Sequence, residues 1–188
     1  MLTWFPTPYP GELFYSVLCR YYMSSGIREH NIVKRQLFGS KAGVKMATLY
    51  PNAAIYAVLS QLPERVFDGE GLILRHTPFL YYTRMYQPQE REVLLNDLLQ
   101  GRGKTPTHLW KTFPRGDYAL RYCPLCVEED ARIYGEPYYH VEHQIPLSGV
   151  CVRHKCRLKQ IAVANPRLTL NNCFYPLGAM ETDKKPDM

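Results

Sequence analysis

Three cysteines and one histidine in the C-terminal half of the chain have the spacing of a metal site. Cys123 and Cys126 form a Cys-x-x-Cys pair that contains Pro124, and Cys151 and His154 repeat the same two-residue spacing. A turn of this kind directs two side chains at one centre, and tetrahedral zinc binds four such thiolate and imidazole ligands. The sequence therefore predicts one zinc ion bound by Cys123, Cys126, Cys151 and His154. With four ligands and no open position, this zinc would be structural and not catalytic.

Three other interpretations of these residues stay open. His140 and His143 could replace the second pair and imitate a Cys2His2 finger, although only two residues separate them and about three to five are usual. The cysteines could instead pack as small apolar side chains without metal, which two paired motifs so close together disfavour. A redox dithiol is expected within a βαβ unit, and the sequence shows no such unit here.

The remaining cysteines are predicted to be structural. Cys19 falls on the apolar face of the first predicted helix and is assigned to the core. Cys156 and Cys173 lack a partner at two-residue spacing, so a second zinc site is not expected. His140 and His143 could orient a zinc ligand by hydrogen bonds, or they could be partly buried aromatic residues.

Acidic side chains are the other residues in this segment that could carry chemistry. Glu128, Glu129 and Asp130 are consecutive on a short helix predicted from Glu128 to Tyr134, which Gly135 would end. A two-metal nuclease needs clustered carboxylates, but successive helical residues point in different directions, so we interpret the three as a solvated acidic face. The sequence also lacks a serine–histidine–aspartate motif and a phosphate-binding loop. We predict a protein that is not an enzyme.

Periodic apolar residues predict the helices that precede the metal motifs. They recur at three- and four-residue spacing from Leu13 to Tyr21, with Glu12 in the first turn and Gly26 at the end. The other predicted helices run from about Glu29 to Phe38, from Pro51 to Leu62, within residues 70–86, and from Pro88 to Leu99. The fold class is therefore mainly α with a small zinc-finger module.

An extended segment, here named the N-terminal strip (residues 4–10), precedes the first helix. Each of its prolines pushes the preceding residue out of the helical region, which predicts a conformation near polyproline II. Its large aromatic residues either staple the strip onto the first helix or present anchors to a partner. If they are anchors, removing residues 1–9 is expected to abolish partner binding and to leave stability nearly unchanged.

The bulk composition is that of a globular protein. Hydrophobic residues make up 46% and charged residues 21% of the 188 residues, unlike a disordered chain. The sequence has no apolar run long enough to span a membrane and no signal peptide at its start. We therefore expect a cytoplasmic protein without a membrane partner, in a compartment where clustered cysteines bind metal more often than they form disulfides.

Basic residues are scattered through the chain and give it a net charge of +6 and a sequence pI near 9.0. In the second predicted helix, Lys34 and Arg35 are expected to point outward, opposite Ile32, Val33 and Leu37. This modest excess favours weak, salt-sensitive contact with DNA phosphates. The residues predicted to make it are Lys34, Arg35, Lys41, Lys45, Arg102, Lys104 and Lys111.

Two groups of motifs are similar to those of the TniQ/TnsD family of transposon target-selection proteins. The first is Phe5-Pro6-x-Pro8-Tyr9-x-x-Glu12-Leu13-x-Tyr15-Ser16. The second is Arg121-Tyr122-Cys123-Pro124-x-Cys126, then Arg132-x-Tyr134-Gly135-Glu136, Pro146 and Cys151-x-x-His154. Their order and spacing match over residues 4–158. Val152 and Lys155 depart from the family, which often has Pro and Gly at these two places.

This resemblance implies a function that composition could not show. Proteins of this kind mark the insertion site, using an attachment site or a CRISPR effector complex, and recruit an AAA+ ATPase that brings in the transposase. The zinc ligands carry over onto the Cys3His set. The ATPase-contacting region carries over onto Trp4, Phe5, Pro8, Tyr9, Glu12 and Tyr15. The alternative function is a zinc-finger DNA-binding regulator that acts without an ATPase partner.

The predicted domain organisation follows from these motifs. Residues 1–116 would form a helical TniQ-type domain, residues 117–162 the zinc-finger module, and residues 163–188 a tail or the start of a longer C-terminal region. Longer family members read DNA with their later parts. We therefore expect sequence-specific DNA recognition to lie wholly or partly outside the 188 residues.

Overall fold

Helices provide most of the regular structure in the computed structural model, which describes residues 2–39, 53–63, 68–102, 120–146, 148–161 and 173–179. In chain order they are α1 (Phe14–Ser25), α2 (His30–Phe38), α3 (Ala53–Leu59), α4 (Gly69–His76), α5 (Phe79–Tyr82), α6 (Pro88–Leu99) and α7 (Pro124–Tyr134). Two-residue strands β1 (Arg121–Tyr122) and β2 (Lys159–Gln160) pair antiparallel. The prediction of a mainly α fold is confirmed.

Several helix ends follow from local sequence. Gly26 ends α1 with a φ of 68°, and Gly135 ends α7 with a φ of 83°. This left-handed conformation favours glycine because a side chain there is strained. Pro88 begins α6 as predicted, since a proline at the first helical position lacks only an N–H that would have no helical partner.

The start of α1 differs from the prediction. The helix begins at Phe14, so Glu12 precedes it and is not in its first turn. The backbone of Glu12 instead forms an isolated antiparallel bridge with His140, and the backbone N–H of Leu13 donates to the Tyr139 carbonyl at 2.7 Å. These long-range bonds hold the chain extended until α1 begins.

The buried face of α2 also differs from the prediction. Lys34 is only 7% exposed, whereas Ile32 is 44% exposed. The residues that pack inward are Val33, Lys34, Leu37 and Phe38. Successive residues of a helix are rotated by about 100°, so these four side chains share one face and Ile32 lies outside it. The long aliphatic stem of Lys34 lets it occupy a core-facing position.

One hydrophobic core includes residues from both ends of the described chain. Phe5, α1 and α4 contribute to it together with Tyr139 and Phe174. A smaller cluster contains Cys123, Cys126, Cys151 and Leu158. The predicted boundary near residue 116 falls outside the described residues, and the division into modules stays a prediction. Among the described helices, none is both long and apolar enough to cross a membrane.

Candidate metal centre

Two tight turns bring the predicted ligands together. Cys123 immediately precedes α7 and Cys126 lies in its first turn, where its backbone N–H donates to the Cys123 Sγ at 3.4 Å. The second turn repeats this arrangement, because the backbone N–H of His154 donates to the Cys151 Sγ at 3.4 Å. In sequence, β1 immediately precedes the first turn and β2 follows the second, and the two strands pair with each other. Local backbone geometry therefore directs all four side chains at one point.

The distances between the ligand atoms fit a tetrahedral metal site. The Cys126 and Cys151 Sγ atoms are 3.8 Å apart, and the His154 Nδ1 lies 3.3–3.8 Å from the three sulfurs. A tetrahedron with zinc–ligand bonds of usual length would have S–S edges of about 3.8 Å and S–N edges of about 3.6 Å. The cluster is thus the right size for such an ion, and the predicted grouping is confirmed.

A carboxylate that sequence reasoning did not assign to the centre faces the histidine. The Glu129 Oε2 lies 3.4 Å from the His154 Nε2, on the ring edge opposite Nδ1. Arg153 holds the same carboxylate, with its Nη2 2.9 Å from Glu129 Oε1. Carboxylates commonly orient metal-bound imidazoles by accepting a hydrogen bond from the ring, and Glu129 lies near the ring edge where it could do so. The three-residue spacing from Cys126 to Glu129, which places both on one helix face, could have suggested it.

The three consecutive acidic residues of α7 have separate environments. Glu128 is exposed, Glu129 pairs with Arg153, and Asp130 is 1% exposed. The prediction that they point in different directions is confirmed. The prediction of a solvated acidic face is wrong for Asp130, because its Oδ2 lies 2.7 Å from the His140 Nε2 in the interior.

His140 and His143, the histidines of the alternative Cys2His2 set, lie beside the Cys3His cluster and are not part of it. His140 pairs with Asp130 and stacks on Tyr138, with ring centroids 4.4 Å apart. The His143 Nε2 lies 3.9 Å from the Cys126 Sγ, and His143 also groups with Glu142 and Cys151. Burial, with smaller effects from nearby His140 and Arg121, lowers the pKa of His143 to about 4. The arrangement favours the Cys3His set over the Cys2His2 alternative.

A His140→Ala substitution is expected to destabilise the fold by about 3 kcal/mol while leaving the metal content unchanged. The reason is that Asp130, which is 1% exposed, would lose its partner and remain buried. Urea denaturation and elemental analysis measure the two effects. The exposed Glu128→Ala variant on the same helix serves as the control and should change stability by less than about 0.5 kcal/mol. Loss of metal from the His140→Ala protein would instead make His140 a ligand, whatever its effect on stability.

One family departure has a structural counterpart. Lys155, which stands where the family often has Gly, has a φ of 55°. A non-glycine residue rarely adopts this left-handed conformation. The backbone is nevertheless held by two bonds, from the Lys155 N–H to the Cys151 carbonyl at 2.9 Å and from the Cys151 N–H to the Cys156 carbonyl at 2.8 Å. These two bonds hold the turn with Lys155 in the left-handed conformation.

The N-terminal strip packs against the helices. Phe5 is 6% exposed and Trp4 is 50% exposed, and both rings contact Tyr21 at centroid distances near 6 Å. Tyr9 contacts Tyr134 at a centroid distance of 4.5 Å. This packing argues against the expectation that the strip could be removed without loss of stability, which stays a prediction to be measured.

The residues predicted to contact an ATPase fall into a buried group and an exposed group. Phe5, Glu12 and Tyr15 are each at most 6% exposed, so their side chains offer little surface to a partner. Trp4 is exposed, and Pro8 and Tyr9 are partly exposed. Trp4, Pro8 and Tyr9 are the ones that a partner could reach without rearrangement.

Arg20 joins the two groups of family motifs in space. Its guanidinium lies 3.0 Å from Glu12 Oε2 and 2.7 Å from Glu136 Oε1, and it covers the Tyr9 ring at 3.7 Å. The Tyr9 hydroxyl also donates to Glu136 at 3.0 Å. Glu12 and Glu136 belong to different motifs, more than a hundred residues apart in sequence. Sequence reasoning missed Arg20 because nothing in a single sequence pairs residues at that separation.

Burial raises the pKa of Glu12 to about 7, against the opposing effects of Arg20 and the Tyr9 N–H. A carboxyl that binds its proton more tightly when folded stabilises the fold below its unfolded pKa, near 4.5, and this stabilisation is lost as the pH rises through about 7.

Between about pH 5.5 and 8, the free energy of unfolding of the native protein is therefore expected to fall by about 2 kcal/mol relative to a Glu12→Gln variant. Denaturant titrations of both proteins at each pH measure this difference. The control is Glu136→Gln, which removes the other and more exposed carboxylate that pairs with Arg20. This variant should keep the pH dependence of the native protein. Parallel curves for the native protein and Glu12→Gln would show that Glu12 does not titrate in this range.

Within the described part of the chain, the basic residues predicted to contact DNA do not come together in one patch. Lys34 is buried and Arg35 is exposed. Arg102 is exposed, with its Nε 3.5 Å from Asp97 Oδ1. Lys41, Lys45, Lys104 and Lys111 lie outside the described residues. Their contact with phosphates stays a prediction.

Comparison with known proteins gives two findings. The sequence model of the TniQ family matches residues 3–158. The Transposon Tn7 transposition protein TnsD of Escherichia coli is 25% identical over 154 residues, which is 80% of this chain and 30% of TnsD. The chain thus spans under a third of that relative. The family match over residues 3–158 contains both groups of motifs and all four candidate metal ligands.

Proposed function

The chain belongs to the TniQ family, and from that membership we propose that it acts in target-site selection for DNA transposition. The observation that carries the proposal is the match over residues 3–158 together with the similarity to TnsD, a transposition protein. We propose that the chain links target DNA, or a guide complex, to an AAA+ ATPase, which then recruits the transposase. Its role would be that of an adaptor without a catalytic step.

The zinc proposal rests on the donor set. Three sulfurs and one imidazole nitrogen at tetrahedral spacing match the usual ligands of a structural zinc ion. Cys123, Cys126, Cys151 and His154 would hold the ion and fix α7 relative to the turn of residues 151–156. Because all four positions would be filled by protein, the ion would supply rigidity to the surface that α7 and the N-terminal strip share.

The proposed partner surface is the exposed part of the N-terminal strip. Trp4 combines large apolar area with 50% exposure and a fixed position on Tyr21. An aromatic side chain that is already ordered loses little conformational entropy on binding, and such residues often anchor interfaces. Tyr9, held by Arg20 and Tyr134, would extend the surface.

Affinity capture of the transposon's AAA+ ATPase, with and without target DNA, tests this function. The native chain is expected to retain the ATPase, and Trp4→Ala is expected to weaken retention about tenfold without changing zinc content. Met85→Ala is the matched control, because Met85 is 85% exposed and lies outside the strip. Equal retention by Trp4→Ala would place the interface elsewhere. DNA binding without any ATPase retention would favour the regulator that acts without this partner.

A further inference from the structure

A fourth sulfur, beside the three of the candidate ligands, lies against the candidate metal centre. The Cys156 Sγ is 3.3 Å from the Cys123 Sγ, although Cys156 has no motif partner and is not one of the four clustered ligands. The four candidate ligands already suffice for a tetrahedral site. The role of a thiol placed in direct contact with a ligand sulfur is therefore not explained by the metal site itself.

Cys156 is also the most exposed cysteine of this group. Cys123, Cys126 and Cys151 are at most 1% exposed, whereas Cys156 is partly exposed. A small solute that approaches from solvent therefore meets Cys156 first. Access is one of the properties that decide which thiols are oxidised.

We propose that Cys156 and Cys123 form a reversible regulatory disulfide, with a peroxide as the oxidant. The Cys156 thiolate would attack one oxygen of hydrogen peroxide, giving a sulfenic acid and hydroxide. The Cys123 thiolate would then attack that sulfur, forming the S–S bond and expelling a second hydroxide. The two sulfurs together lose two electrons, and these reduce the peroxide O–O bond.

The turn of residues 151–156 places the two sulfurs close enough to form this bond. To reach the usual S–S length, the two sulfurs need to approach by only about 1.3 Å from their 3.3 Å separation. The Cys151 N–H bonds to the Cys156 carbonyl and so holds Cys156 beside the centre. Cys19 and Cys173 are buried in other parts of the described chain and do not compete for Cys123.

The disulfide would remove one ligand from the metal. This consequence rests on the proposed zinc site, since Cys123 cannot donate a thiolate to zinc while bonded to Cys156. With only three protein ligands left, the ion would be bound more weakly, and a chelator would remove it faster. A reductant together with zinc would restore the original state, which makes the centre sensitive to oxidants.

The test treats the purified full chain with hydrogen peroxide and follows two quantities, the cross-linked peptides by mass spectrometry and the released zinc by a chromogenic chelator. The expected results are a Cys123–Cys156 cross-link, zinc release, and recovery with dithiothreitol and zinc. Cys156→Ala should start with the native zinc content and release zinc roughly tenfold more slowly. Cys173→Ala, which removes a cysteine away from the centre, should behave like the native chain.

Different failures have different meanings in this experiment. A cross-link between other cysteines, or equally fast release by Cys156→Ala, overturns the proposal. A Cys156→Ala variant purified without zinc overturns it as well, because Cys156 would then be a ligand. A native chain that carries no zinc but forms the Cys123–Cys156 cross-link supports the disulfide and refutes only the zinc site.

Discussion

Replacing Cys123 and Cys151 together by serine is expected to lower the zinc content from about one ion per chain to a small fraction of that value. The change removes one sulfur from each of the two turns, and both sulfurs are fully buried. A hydroxyl does not replace a thiolate as a zinc ligand at neutral pH. Elemental analysis of the purified variant measures the effect directly.

The loss of zinc is expected to disorder the surrounding segment. Binding of a structural zinc ion contributes on the order of 10 kcal/mol or more, which is comparable with the total stability of a domain. Hydrogen exchange over residues 120–161 should therefore become fast in the double variant and in chelator-treated protein. Acidification should have the same effect, because protonated thiols do not bind the metal.

Cys173→Ser is the matched control for the double variant. Cys173 is buried like the ligand cysteines but lies outside their cluster, so its replacement should leave the zinc content at about one ion per chain. Stoichiometric zinc in the Cys123→Ser, Cys151→Ser protein would refute the assigned ligand set. The His143 group, which shares Cys151, would not explain such a result either.

The second large effect is expected from Phe5→Ala, which should destabilise the protein by about 3–5 kcal/mol. Phe5 is 6% exposed and belongs to the main hydrophobic core, with its ring 5.9 Å from that of Tyr21. Truncation would leave a cavity between the strip and α1. The midpoint of a urea unfolding curve at constant pH measures the loss.

Trp4→Ala provides the contrast one residue away. Trp4 is 50% exposed and contacts the same Tyr21 ring, so its removal should cost less than about 1 kcal/mol. The pair thus separates the structural and binding roles of the strip. A Phe5→Ala protein within about 1 kcal/mol of the native protein would show that the strip does not belong to the core.

Local features of this protein could be predicted from its sequence because their causes are local. Proline and glycine set the ends of helices, and two-residue spacing brought each pair of candidate metal ligands into one turn. Apolar periodicity identified α1 and α6. The two turns meet as predicted because both pairs could serve one tetrahedral ion, which is a chemical reason independent of the intervening fold.

Features that depend on distant packing were missed. Lys34 is buried because of what α2 packs against, and its charge gave the opposite prediction. Arg20 pairs with Glu12 and Glu136, which approach one another only after the chain has folded. Cys156 was set aside because it has no motif partner in sequence, yet its sulfur lies 3.3 Å from that of Cys123. Propensity and spacing carry no information about such pairs.

The joining of the two ends of the described chain has a consequence during synthesis on the ribosome. The Tyr15 hydroxyl donates to the Cys173 carbonyl across 158 residues, and Phe174 belongs to the core around α1. At usual elongation rates, roughly 8–30 s pass between the synthesis of α1 and the synthesis of these residues. Its apolar face has incomplete cover throughout that time, so a nascent-chain chaperone would find α1 accessible long after it leaves the exit tunnel.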